Sequence, residues 1–198
     1  MSITNNQLVH ELMAITENAI VAAKKLKLLN TDELNYRKAE GEWSVLECVE
    51  HLNLYGNYYL PEIEKQLLSQ PPVSDKTIFK TGIIGHYFAN LMQVKNGKVK
   101  KMKSPADKNP LHAPLTVTTI DRFIKQLERL KSLLHQSMTV DLVKTKAAIS
   151  LTRFIKLRLG DTLRFFVFHI ERHVLQAERI AVEARNIHTE NREIASMH

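Results

Sequence analysis

An all-α fold, a four-helix bundle with long crossover connections, is predicted by three features of this 198-residue sequence. Apolar residues recur at helical spacing in four long stretches. Gly and Pro are scarce, six of each, and every proline lies between Pro61 and Pro114, so both ends of the chain are free of the strongest helix breaker. The long stretch of poor periodicity between the second and third helices then has to cross over the bundle. A chain of this length with 44% hydrophobic and 25% charged residues fits one globular domain over residues 1–198.

The first helix is expected from about Thr4 to Leu29, with Leu8, Leu12, Ile15, Ala19, Ala22 and Leu26 turned inward. The second begins at Trp43-Ser44, where Ser44 and Glu47 have capping-box spacing. Val45, Val49, Leu52, Tyr59, Ile63 and Leu67 share one side, and Pro61 within it should bend the helix. From Gln70 to Leu115 the pattern is irregular, with one short helix expected around Gly82 to Val94. A third helix runs from Thr118 or Thr119 to Gln136, burying Ile120, Phe123, Ile124, Leu127, Leu130 and Leu134. The connection Val140 to Leu159 fits a short strand, a helical turn or a packed loop. Asp161 is the expected N-cap of a last helix to about Arg185, with Leu163, Val167, Ile170, Val174, Ala177 and Ala181 at heptad spacing.

Several function classes fall away. One cysteine, Cys48, excludes a disulfide framework and a Cys-rich zinc module. The start, MSITNNQLVHELMA, lacks the pattern of a secretory signal, and the apolar run at Phe165 to Phe168 ends at His169, Glu171 and Arg172. The expectation is a soluble, cytoplasmic protein with no membrane partner. The formal charge is +7, and six lysines fall between Lys95 and Lys108. Such a basic loop attracts any anion, and as a solvated connector it needs no ligand. No interleaved aromatics, helix-turn-helix spacing or finger pattern accompanies it, so nucleic acid is not the expected partner. Ser-His-Asp order, a Gly-rich phosphate loop and CxxC are all missing, which disfavours serine hydrolases, nucleotide enzymes and thioredoxin-like redox chemistry.

His169 and His173 lie one helical turn apart, at the margin of the buried stripe of the last helix. His51 takes the same position on the second helix, with Glu47 one turn before and Tyr55 one turn after. Three imidazoles from two helices could converge on one cation, leaving positions open for water or substrate. The spacing alone points more to ordinary satisfied helix histidines than to ligands.

The segments WSVLECVEHL, Trp43 to Leu52, and HIERHVLQAERI, His169 to Ile180, resemble the W-S-x-x-E-x-x-x-H-L and H-x-x-R-H-x-x-Q elements of the DinB-like superfamily. YYLPEIEKQL and KMKSPADKNP are similar to that family's second-helix end and crossover loop. The resemblance implies an antiparallel four-helix bundle, often dimeric. It also implies a divalent metal, zinc or nickel first and iron or manganese next, held by His51, His169 and His173. Relatives often carry His where this chain has Arg172, so residues that touch substrate do not carry over.

What the resemblance implies for activity is a metal-dependent enzyme acting on a small-molecule substrate. It would be a hydrolase activating water, or an S-transferase activating a low-molecular-weight thiol. The alternative is a non-catalytic dimeric bundle, a stress or binding protein, whose metal is structural or absent. Glu47 and Gln176 are candidates to orient the ligands, or else a capping partner and a surface amide. Trp43 reads as a core anchor at the start of its helix, Cys48 as a buried thiol, and Tyr55, Tyr58 and Tyr59 as pocket or core. Phe168 and Leu175 share an outer face that the Val140–Leu159 connection or a second subunit would cover, and the expected assembly is a homodimer.

Overall fold

A computed structural model describes residues 2–95, 102–150 and 152–196, with side chains described outside 152–154 and 188–196. Thr4 ends the short strand β1 (Ser2–Thr4) and caps α1 (Asn5–Leu26). Its hydroxyl accepts from the Gln7 amide at 3.1 Å, and the Gln7 side chain accepts from the Thr4 amide at 3.2 Å. A one-turn helix, α2 (Thr31–Asn35), follows, capped by Asn30 with Glu33. The expected box at Ser44 and Glu47 opens α3 (Val45–Leu68), which continues through Pro61 as one helix.

The crossover then builds β2 (Ile78–Lys80) and the short helix α4 (Ile83–Met92). β2 pairs antiparallel with β1 in the register Ile3 to Phe79. After a 3-10 turn at Ala106–Lys108 comes α5 (Thr118–Ser137). The ambiguous connection is a hairpin of β3 (Lys146–Ile149) and β4 (Thr152–Arg158), with Ala147 opposite Leu157. It runs directly into α6 (Leu159–Ser196), which extends beyond the expected end at Arg185. The four long helices pack in a ring, each of α1 and α3 lying against both α5 and α6. Their shared core is the predicted one, including Leu8, Leu12, Val49, Leu52, Ile63, Ile120, Phe123, Leu127, Leu163, Val167 and Ile170. The chain is all-α in architecture, with two small sheets at the edge.

Asp161 does not cap α6. That helix begins two residues earlier, and the fully buried Asp161 carboxylate reaches outward instead. It accepts from the Thr81 hydroxyl and, at 2.8 Å, from the Gly82 amide just before α4, with Arg164 3.5 Å away on its own helix. A carboxylate satisfies orphan amides at a helix start wherever it comes from, so Asp161 fastens α4 onto α6. The seat is tight: a Cβ at Gly85 would lie 2.4 Å from the Asp161 carboxyl carbon. The three-residue strands β1 and β2, and the short α2, lie below the length at which periodicity is visible.

The lysine-rich stretch Lys95 to Lys108 lies partly outside the described residues. From Met102 onward it is a strap over one end of the α3–α6 seam, tied down by the contacts described next. Among the described residues, no helix is long and apolar enough to cross a membrane.

Candidate metal centre

His51 follows one turn after the capping residue Glu47 on α3, while His169 and His173 follow one another on α6. The two helices pack side by side, and this brings all three rings together. Ring centroids are 5.0 Å apart for His51–His169, 4.6 Å for His51–His173 and 4.7 Å for His169–His173. One nitrogen from each lies within 4.8 Å of the others. His51 and His169 are each 3% exposed, and His173 forms the half-buried edge of the group.

The hydrogen bonds decide which nitrogens face inward. His51 Nδ1 lies 2.6 Å from the Lys108 carbonyl oxygen, which can only accept, so His51 carries its proton on Nδ1. His173 Nδ1 likewise donates to the Gln176 side-chain oxygen at 2.9 Å. Both residues therefore aim an Nε2 lone pair at the centre. His51 Nε2 stands 3.1 Å from His169 Nε2, and the buried His169 Nδ1 has no hydrogen-bond partner among the described residues. One proton on His169 can serve only one of its two ring nitrogens. With that proton on Nε2, His169 donates to His51 Nε2, and a cation held by the three histidines would take the proton's place there. The donor set, three neutral imidazoles with two ring N–H groups anchored outside, suits a borderline divalent metal.

Electrostatics agree. Burial, reinforced by the nearby Lys108 ammonium and offset by the Lys108 carbonyl, holds His51 down to about 4. Burial and the neighbouring His51 hold His173 down to about 3 despite the bond to Gln176. Burial, then the other two histidines, drives His169 well below its ordinary value. All three are neutral at pH 7, the form in which imidazole binds metal.

Around the three rings stand aromatic walls. The Trp43 ring lies 4.6 Å from His51 and 5.7 Å from His173, and its Nε1 donates to Asn109 Oδ1 at 2.9 Å. Tyr55 lies 4.4 Å from His169 and 4.9 Å from His51, and burial pushes its hydroxyl up to about 12. Phe165 stacks on His169 at 6.0 Å. Trp43 is thus a wall of the centre as well as a core contact, while Tyr59 belongs to the core and bonds Ser150 at the hairpin.

Gln176 orients the candidate ligand His173; Glu47 orients none of the three histidines. The Glu47 carboxylate is 1% exposed and spends its oxygens on Arg37, at 2.7 and 3.0 Å, and on the Ser44 and His112 amides. Burial alone would raise it, but Arg37 and the two amides outweigh burial and hold it below the usual carboxylate range. It fixes the helix start and the strap, where His112 adopts a left-handed φ of 62°. Cys48 is fully buried, its thiol pushed up by burial, and it is outside the histidine group. The residue missed from sequence is Lys108, whose role is its backbone carbonyl. Its segment, KMKSPADKNP, is the only signal that pointed to it.

The family model of the DinB superfamily matches residues 16–177, most of the chain and all three histidines. The chain belongs to the DinB superfamily. No curated protein and no solved structure gave a significant match. Membership agrees with the helical bundle and with a metal-binding reading of His51, His169 and His173.

Phe168 and Leu175 are half-buried. Arg164 stands over the Phe168 ring at 5.7 Å. Leu175 lines a cavity of about 200 Å³ between α1 and α6 with Ile15, Ala19, Ala22 and Val174. The hairpin packs elsewhere, over Tyr59, Phe88 and Phe165.

Proposed function

We propose that this DinB-superfamily chain is a metal-dependent enzyme whose divalent ion, zinc or nickel, is held by His51, His169 and His173. The observation that carries the reading is the convergence of three neutral Nε2 atoms from two helices, two of them with the opposite ring nitrogen anchored. Such an ion, when bound, lowers the pKa of a coordinated water or low-molecular-weight thiol, which supports hydrolysis or S-transfer. The protein's own contributions are separate. Lys108 and Gln176 hold two tautomers, Trp43 and Tyr55 wall the centre with apolar rings, and the strap keeps water from the His51 side. The half-buried His173 edge is where a small substrate would approach. Tyr55 keeps its hydroxyl proton at neutral pH and can donate a hydrogen bond, not act as a base.

Burial of His51 and His169 under the strap favours a second reading, a non-catalytic bundle with a structural metal. Metal analysis of untagged protein tests the shared premise. Close to one divalent ion per chain, lost in His51→Ala and His169→Ala with helicity kept, supports the centre. A panel of thiols with an electrophile, followed by thiol consumption, then separates transferase from hydrolase, and turnover of neither leaves the structural role. The proposal includes a homodimer through the α1–α6 groove, which sedimentation would report as twice the chain mass.

A further inference from the structure

The positive charge of this protein is concentrated in two stretches. Twelve of the 28 Lys and Arg, and none of the 21 Asp and Glu, fall in residues 76–106 and 142–160. Everything outside them is net negative. Among the described residues, β2 and α4 of the first stretch are neighbours in space of the hairpin in the second. Phe88 of α4 meets Ile149 and Leu157 of the hairpin over Tyr59 and Phe165, and Arg158 of β4 binds the Lys80 carbonyl of β2.

α4 itself, IIGHYFANLM, contains no Asp, Glu, Lys or Arg. Its Gly85, Ala89 and Met92 face α6 and are buried. The opposite side carries Ile83 at 93% exposure, Tyr87 at 61% and Ile84 at 55%. A surface helix ordinarily puts charge there. Ile78 of β2 and Ile155 of β4 are also exposed, at 47% and 38%. In the same two stretches Lys76, Lys80, Lys95 and Lys156 are exposed as well.

We propose that the face formed by α4, β2 and the β3–β4 hairpin docks on an anionic lipid bilayer. Branched aliphatic side chains enter the boundary between headgroups and acyl chains, Tyr87 sits at that boundary, and the lysines meet lipid phosphates. A nucleic acid would use the lysines but would leave Ile83 and Ile84 against phosphate or water, and base stacking needs exposed aromatics, of which α4 offers Tyr87 while Phe88 packs against the core. A second copy joined through the same face would set two cationic rims against each other. The expectation of no membrane partner rested on the lack of a spanning segment. Docking on a surface needs none.

The test is cosedimentation of the untagged full chain with large unilamellar vesicles, phosphatidylcholine alone against phosphatidylcholine with about 30% phosphatidylglycerol. Binding to the anionic vesicles alone is expected. Ile83→Ser with Tyr87→Ser should weaken it about tenfold, and Lys80→Glu with Lys156→Glu should weaken it about tenfold and flatten its salt dependence. All four positions are exposed, so circular dichroism should be unchanged, and the metal content should not move. Absence of binding to anionic vesicles overturns the proposal. So does vesicle binding that ignores Ile83→Ser with Tyr87→Ser while a short duplex DNA binds as tightly, which assigns the lysines to polyanions in general. A dimer that dissociates in that variant, with no vesicle binding, assigns the face to a second copy and overturns it too.

Discussion

The Nδ1 of His51 and the backbone carbonyl of Lys108, 57 residues apart in sequence, lie 2.6 Å from each other. This bond makes the crossover strap part of the candidate metal centre. The Ser104 hydroxyl donates to the same carbonyl at 3.2 Å within the strap, and Asn109 accepts from the Trp43 indole, so two hydrogen bonds seat the strap on the rings. A ligand that requires the Nδ1–H tautomer of His51 strengthens a bond that only the seated strap provides. Zinc should therefore slow amide exchange over residues 104–112 about threefold or more relative to chelator-treated protein. Mass-detected hydrogen exchange would read it, and equal exchange in both states would separate the strap from the metal.

His169 is the candidate ligand with an unsatisfied ring nitrogen, so it distinguishes metal binding from packing. Without metal, His169→Leu replaces a buried half-paired imidazole by an apolar side chain and should leave stability within about 1 kcal/mol of the parent, on the stabilising side. With zinc at about 100 times its Kd the parent should gain about 2.7 kcal/mol and the variant nothing. Urea unfolding with and without zinc measures both. A variant that loses several kcal/mol without metal would mean that His169 is chiefly a core residue.

Most of the bundle was legible from apolar spacing because each of the four long helices runs for several turns and buries one stripe. The Ser44–Glu47 box was legible for a different reason: capping chemistry is local and acts over three residues. The pairing of β1 with β2 joins residues some 75 positions apart over three-residue strands, and nothing local announces it. The role of Asp161 is not legible locally, because its carboxylate serves the start of another helix, held by Thr81 and Gly82 some 80 residues away in sequence. The histidines were identified by type and motif, and their convergence by resemblance. The anchoring of His51 was illegible, since a backbone carbonyl has no side-chain signature.

Glu47 shows how a residue near the site acts through the fold. Glu47→Gln leaves Arg37 without its buried counter-charge and weakens the capping box and the His112 amide contact, at a cost of about 3–5 kcal/mol. Guanidinium denaturation would report the loss. Because the strap hangs on the same carboxylate, zinc affinity should fall together with stability, while Gln176→Ala should lower zinc affinity with little loss of stability. If both variants change only affinity, Glu47 contacts the metal centre more directly than its hydrogen bonds indicate.

At the junction of crossover and bundle, Gly85→Ala tests the seat of α4. The added methyl meets the Asp161 carboxyl, which is itself fixed by Thr81, Gly82 and Arg164 and cannot swing aside. Overpacking of this kind costs about 1–3 kcal/mol, more than the gain in helix propensity from replacing glycine. Thermal melts should show the drop, and an unchanged melting temperature would mean that α4 rides loosely on α6.

Acid should unfold the metal-free protein through the histidines. In the folded chain His51 titrates near 4 and His173 near 3, and His169 is also depressed, while in the unfolded chain each binds a proton below its ordinary value of 6.5. Between those limits the unfolded state holds more protons, so stability rises with pH. It should be flat above about 7 and fall progressively as the pH drops from 6.5 toward 4. Zinc release should follow over the same range, since protons and metal compete for the same Nε2 atoms. Glu47 also loses its contribution in acid, but only below its unfolded value of 4.5. The slope between pH 5 and 6.5 is therefore assigned to histidine. A variant with His51, His169 and His173 all replaced by leucine should keep the loss below pH 4.5 and lose the slope above it, and a slope that survives the triple replacement would place the titrating groups elsewhere.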